Sequence, residues 1–195
     1  MYKVSVVARD TGHCFLIWDR LALAIWRNAT TRASVAEMSF MVRALMAKHD
    51  EPCCFLGIVE PTSPPPDEKA RTELAKFSRE IVPELALAII VGEGGGFRAS
   101  LVRAVGVALT TLMPHRVPFK FLSNVEDATT LIAPHLSPGA GGVPGMRRAL
   151  ADVRAQFPLS AGSGFSAHPP GVASGAGDNA SPGHEPRPSS RPRAR

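Results

Sequence analysis

The sequence predicts an α/β fold, a mostly parallel central sheet of 4–6 strands with helices packed on it and a β opening at the N-terminus. Three observations carry this. Short continuous runs rich in Val, Ile and Leu, bounded by Gly and Pro, read as strands buried on both faces. Segments of helical periodicity separate them, too long for hairpin turns, so the central strands run parallel with right-handed crossovers. Ahead of the first helix the chain shows strand and turn signals alone.

The elements follow in order. Lys3 to Ala8 is Val-rich and strand-like, Thr11-Gly12 marks a turn, and Cys14–Trp18 with Leu21–Trp26 form two strands, or one bent strand broken at Asp19-Arg20. Ser34 and Glu37 have capping-box spacing at the head of a helix, in which Val35, Met38, Val42, Leu45 and His49 recur on one face. Cys53–Val59 is a buried strand between Pro52 and Pro61, and Thr62-Ser63-Pro64-Pro65-Pro66 a stiff connector. Asp67 and Glu68 then start an amphipathic helix through Ala70, Leu74, Phe77 and Ile81, with acids where the helix dipole favours them. Leu85–Val91 is the next buried strand. A third helix runs from Phe97 through Leu101, Val105, Ala108, Leu109 and Leu112, and Val117–Leu122 is a further strand. Ser123 with Glu126 suggests a second capping box and a short helix to Leu136. Residues 138–142 read as a linker, and Pro144–Phe157 as a last helix with Met146, Leu150, Val153 and Phe157 on one face.

Residues 158–195 hold seven Pro, seven Ser and six Gly and few larger apolar side chains, too few to offset an ordering entropy of about 1–2 kcal/mol per residue. The expectation is a disordered tail. Its four arginines against Asp178 and Glu185 supply +2 of the net charge of +5, which leaves +3 for residues 1–157. Spaced arginines without aromatics make a weak footprint for nucleic acid, so the basic balance does not argue for that partner.

Three cysteines without Cys-x-x-Cys spacing support neither a disulfide framework nor a metal site, and free thiols suit a reducing cytoplasm. The N-terminus breaks its apolar run with charges, and no apolar stretch reaches the roughly 20 residues of a membrane span. The expected location is the cytoplasm.

The strongest local signal is the loop Gly92-Glu93-Gly94-Gly95-Gly96 leading into Phe97-Arg98. Glycines between a strand and a helix let backbone amides converge on an anion. The loop lacks the third glycine of a dinucleotide fingerprint and the Lys-Ser/Thr of a phosphate loop, and Glu93 repels phosphate. It reads as a partner-facing loop, or as the mouth of a site for a small anionic or lipid-like ligand. Arg98 and Arg103 oppose the dipole of the helix they start, which calls for an acid nearby: Glu93 or Glu60 of the chain itself, or an acidic partner. Thr62 and Ser63 lie where phosphorylation would add charge close to a helix start, or serve as ordinary caps. No nucleophile elbow and no Ser/His or Cys/His signature is present, and Cys53-Cys54 read as small core residues. No catalytic residue, metal or cofactor is expected.

Phe55-Leu56-Gly57-Ile58-Val59 with its following loop and helix, and Phe119–Ala128 with Ser-x-x-Glu-x-Ala, are similar to the central strand and last strand of STAS domains. The chain resembles the SpoIIAA-like anti-sigma-factor antagonists of that family over residues 3–136. The resemblance implies a STAS-like domain over residues 1–136, followed by a linker and helix at 137–157 and the tail at 158–195. It also implies a bacterial regulatory module acting through a protein partner. The lack of a catalytic constellation makes a non-enzyme the expectation, and a homodimer is the other assembly to test. Where that family carries its phospho-loop this chain reads Glu60-Pro61-Thr62-Ser63-Pro64, which makes Ser63 the positional counterpart of the phosphorylated serine.

Overall fold

The computed structural model describes residues 4–94 and 118–157. Among these residues six strands make one sheet in sequence order: β1 (Ser5–Arg9), β2 (His13–Trp18), β3 (Leu21–Trp26), β4 (Cys54–Val59), β5 (Leu87–Gly92) and β6 (Phe119–Leu122). The first three form an antiparallel meander, and β3, β4, β5 and β6 run parallel. Among the described residues four helices accompany them: α1 (Arg32–Met46), α2 (Glu68–Glu80), α3 (Val125–Ile132) and α4 (Gly142–Gln156). The α/β class and the parallel centre are those the sequence predicts. Among the described residues no helix is long and apolar enough to cross a membrane. The expected third helix, with Gly95, Gly96, Phe97, Arg98 and Arg103, lies outside the described residues, as does the expected disordered tail.

Side-chain alternation sorts the helices onto two faces. On β3, Leu21, Leu23 and Ile25 join a core with Ala128 and Ile132 of α3 and Met146, Leu150 and Val153 of α4. Ala22, Ala24 and Trp26 join the opposite core with Val35, Met38, Met41 and Val42 of α1 and Phe77 of α2. Helices on both faces explain why β3, β4 and β5 are apolar at nearly every position rather than at alternate ones. Gly57 in β4 faces the second core. A Cβ built there would lie 2.6 Å from Ile90 Cδ1 and 3.1 Å from Trp26 Cζ3, so a side chain fits only if its neighbours shift.

The stretch from Cys14 to Trp26 is two strands joined by a two-residue turn, with Trp18 opposite Leu21. Asp19 takes the left-handed conformation at φ 53°, a region Asp tolerates better than most residues. Its carboxylate accepts from the Ser137 N–H at 2.7 Å and the Ser137 hydroxyl at 2.8 Å. The turn is thus tied to the chain just before α4.

Two expected caps fall on other residues. α1 starts at Arg32, its cap being extended Thr31, whose hydroxyl accepts from Ser34 N–H while the Ser34 hydroxyl accepts from Thr31 N–H. Ser34 is therefore the third helical residue and not the cap, and Glu37 is freed to approach His13. At α3 the cap is Asn124, accepting from Asp127 N–H at 2.8 Å, in place of Ser123 and Glu126. In both cases two capping-competent residues were close together in sequence, and extended backbone at one of them decides. Asp67 caps α2, as the acidic start implies. His49 lies beyond the end of α1 and is exposed. Residues 138–140 form a 3₁₀ turn that buries Ala140, so the expected linker is packed against the core together with α4.

Candidate functional site at the carboxyl edge of the sheet

Trp26, Val59 and Gly92 are register partners at the ends of β3, β4 and β5, so Arg27, Glu60 and Glu93 emerge side by side. The ladder runs one step further, with Glu60 N–H donating to Trp26 O at 2.8 Å and Glu93 N–H to Val59 O at 2.9 Å. Backbone pairing therefore fixes one cation and two carboxylates in a row along this edge.

Arg27 and Glu60 form a buried pair, with side chains 7% and 2% exposed. Arg27 Nε donates to Glu60 Oε2 at 2.8 Å and Nη2 to Oε1 at 3.3 Å, the two-pronged geometry that guanidinium and carboxylate favour. Nη2 also donates to Phe157 O at 3.1 Å, and the guanidinium carbon stands 3.8 Å from the centre of the Phe157 ring. Arg154 of α4 binds Glu93. The end of α4 is thereby fastened to the carboxyl ends of three strands. Glu60 and Glu93, the intramolecular acids expected for Arg98 and Arg103, already hold Arg27 and Arg154.

The connector and the glycine loop meet at this edge. Gly94 adopts φ +95°, and a Cβ on it would lie 3.0 Å from Pro61 Cγ. Thr62 is exposed and its hydroxyl donates to Arg27 O at 2.9 Å. Ser63 is 3% exposed and its hydroxyl donates to Asn28 O at 2.9 Å. Pro64 and Pro65 face outward.

No family model matches the sequence, and no curated protein does. A solved structure, described as an uncharacterized protein of the DUF3478 family with a SpoIIAA-like fold from Shewanella loihica PV-4, is similar to this chain. It shares 15% identity and a TM-score of 0.39, covering 66% of this chain and 92% of that one.

Close by, His13 stacks on Phe15 at 4.4 Å, between Asp10 (Nδ1 to Oδ1 3.2 Å) and Glu37 (Nε2 to Oε2 3.5 Å). Asp10 accepts from the N–H groups of Gly12 and His13. Its partial burial pushes the carboxyl pKa up, and those two hydrogen bonds with the His13 ring outweigh this and hold it below the usual value. The three thiols are buried. Burial raises Cys14 and Cys53, and pushes Cys54 up to about 12, so these sulfurs stay protonated at neutral pH and are poor nucleophiles. Among the described residues no three His, Cys, Asp or Glu side chains are grouped to hold a metal ion.

Sequence reasoning picked out Gly92, Glu93, Gly94, Thr62 and Ser63, and these lie together. It missed Arg27, Arg154 and the polar role of Phe157. A signal for Arg27 exists: Trp26-Arg27, Val59-Glu60 and Gly92-Glu93 each pass from an apolar strand to a charge at one step.

Proposed function

We propose that the chain is a non-enzymatic regulatory or scaffolding module that docks a protein partner through the carboxyl edge of its sheet. The docking surface is the connector at residues 60–67 together with Gly92, Glu93 and Gly94, and the sequence continues it through Gly95, Gly96, Phe97, Arg98 and Arg103. The observation that carries this reading is the seating of Gly94 on Pro61, which joins two separate stretches of sequence into one surface. The buried acid there is already paired, and the hydroxyls of Thr62 and Ser63 are bonded to backbone. What faces outward is a run of prolines held from beneath, a surface that loses little entropy on binding. Thr62 is the hydroxyl a kinase reaches without opening the fold. A phosphate there would add nearly two negative charges to the surface. Buried free thiols fit a reducing cytoplasm.

A photo-crosslinking residue at Thr62, compared in cells with one at exposed Glu84, tests the reading. Capture of one discrete partner from position 62, absent from 84 and lost when Pro64, Pro65 and Pro66 are replaced by glycine, supports it. Identical products from both positions, or none from 62, refute it.

A further inference from the structure

α4 sends one face into the core and leaves the adjoining face open. Gly145, Arg148, Asp152, Ala155 and Gln156 line a groove of about 890 Å³ together with Val4 and Trp18. Val6 of β1 pairs with Leu16, which faces the α4 core, and is 42% exposed on that same side of the sheet. The groove is thus flanked by apolar surface that nothing among the described residues covers.

Its charges are unusual. Arg148 and Asp152 are exposed, one turn apart, and neither has an ion-pair partner among the described residues. Their neighbours Arg147 and Arg154 are paired, with Glu126 and Glu93. The open face is also self-complementary. Reversed about position 150, Arg148 falls on Asp152 and Pro144 on Gln156. Cation meets anion twice. That is the pattern an isologous two-fold contact requires.

We propose that the occupant of this groove is α4 of a second copy of the chain. The two helices pack antiparallel about a two-fold axis beside position 150, and Arg148 of each protomer pairs with Asp152 of the other. This surface is separate from the connector and glycine loop, so either proposal can fail alone.

Sedimentation velocity of the full chain over a concentration series tests it. The wild type sediments at twice its chain mass of 20.7 kDa. Arg148→Asp or Asp152→Arg sets like charges against each other at two symmetric places and weakens self-association by roughly a hundredfold or more. Both residues are exposed, so both variants keep the wild-type circular dichroism spectrum. Mixing the two variants in equal amounts restores a dimer, because each then faces the opposite charge across the axis. A wild type that stays at the monomer mass at every soluble concentration overturns the proposal, as it would if a small molecule or a different protein fills the groove. So do single variants that dimerise like the wild type, or a mixture that stays monomeric.

Discussion

Replacing Arg27 by methionine keeps much of the side-chain volume but strands the Glu60 carboxylate in a site that is 2% exposed. Breaking a buried ion pair from one side costs about 3–5 kcal/mol, because the remaining charge loses its partner without regaining water. The same change removes the bond to Phe157 O and the stacking of the guanidinium on the Phe157 ring, the latter worth about 0.5–2 kcal/mol. Together these come to about 3.5–7 kcal/mol, and at about 2–4 °C per kcal/mol for a chain of this size the melting temperature falls by roughly 7–28 °C. Glu60→Gln should cost less than Arg27→Met, since a neutral amide still accepts from the guanidinium. The informative variant is the double one. Arg27→Met with Glu60→Leu removes both charges, and its cost should be smaller than that of Arg27→Met alone. Urea unfolding monitored by circular dichroism measures these three and the Glu60→Leu single that completes the cycle. If Arg27→Met costs under about 1 kcal/mol, or the double variant equals the sum of the singles, the pair is not the buried, coupled latch described above.

Three further expectations follow from the core and its ties. Gly57→Ala puts a methyl 2.6 Å from Ile90 Cδ1, and should cost about 1–3 kcal/mol by overpacking, read from the urea midpoint. Asp19→Ala removes both bonds to Ser137 and places alanine at φ 53°, so a loss of about 2–4 kcal/mol is expected, with hydrogen exchange rising first near residues 137–141. Cys54 binds its proton more tightly folded than unfolded, so its contribution is intact below about pH 9 and is lost as pH rises toward about 12. Cys54→Ala should flatten the alkaline limb of the stability curve, and an unchanged limb would show that the thiol is not its source.

The central strands were legible because two-sided burial writes itself as an unbroken apolar run, as in Cys54–Val59, and amphipathic periodicity placed α2 and α4 closely. Caps were harder. Thr31 and Ser34, or Ser123 and Asn124, are both able to cap, and the choice rests on which residue the incoming loop holds extended, a tertiary fact. The carboxyl edge was legible only in pieces. Gly94 and Pro61 are 33 positions apart, and Arg27 and Phe157 are 130 apart. Nothing local says that strand register brings them together. What composition misjudged was the stretch at 138–142, where Gly and Pro spell a loose connection, yet Asp19 and the burial of Ala140 pin it in place.

The two ends of the sheet carry a consequence for how copies of this chain associate. β1 is interrupted by a bulge at Val7, between the paired residues Val6 and Ala8, and β6 is four residues long with Lys120 exposed. A bulged strand and a short, charged one are poor templates for a further strand. Growth by strand addition, which has no natural stopping point and ends in fibres, is therefore obstructed at both margins. A pair of copies that met through the α4 face, as proposed above, would use that face up, and such an assembly would close at two.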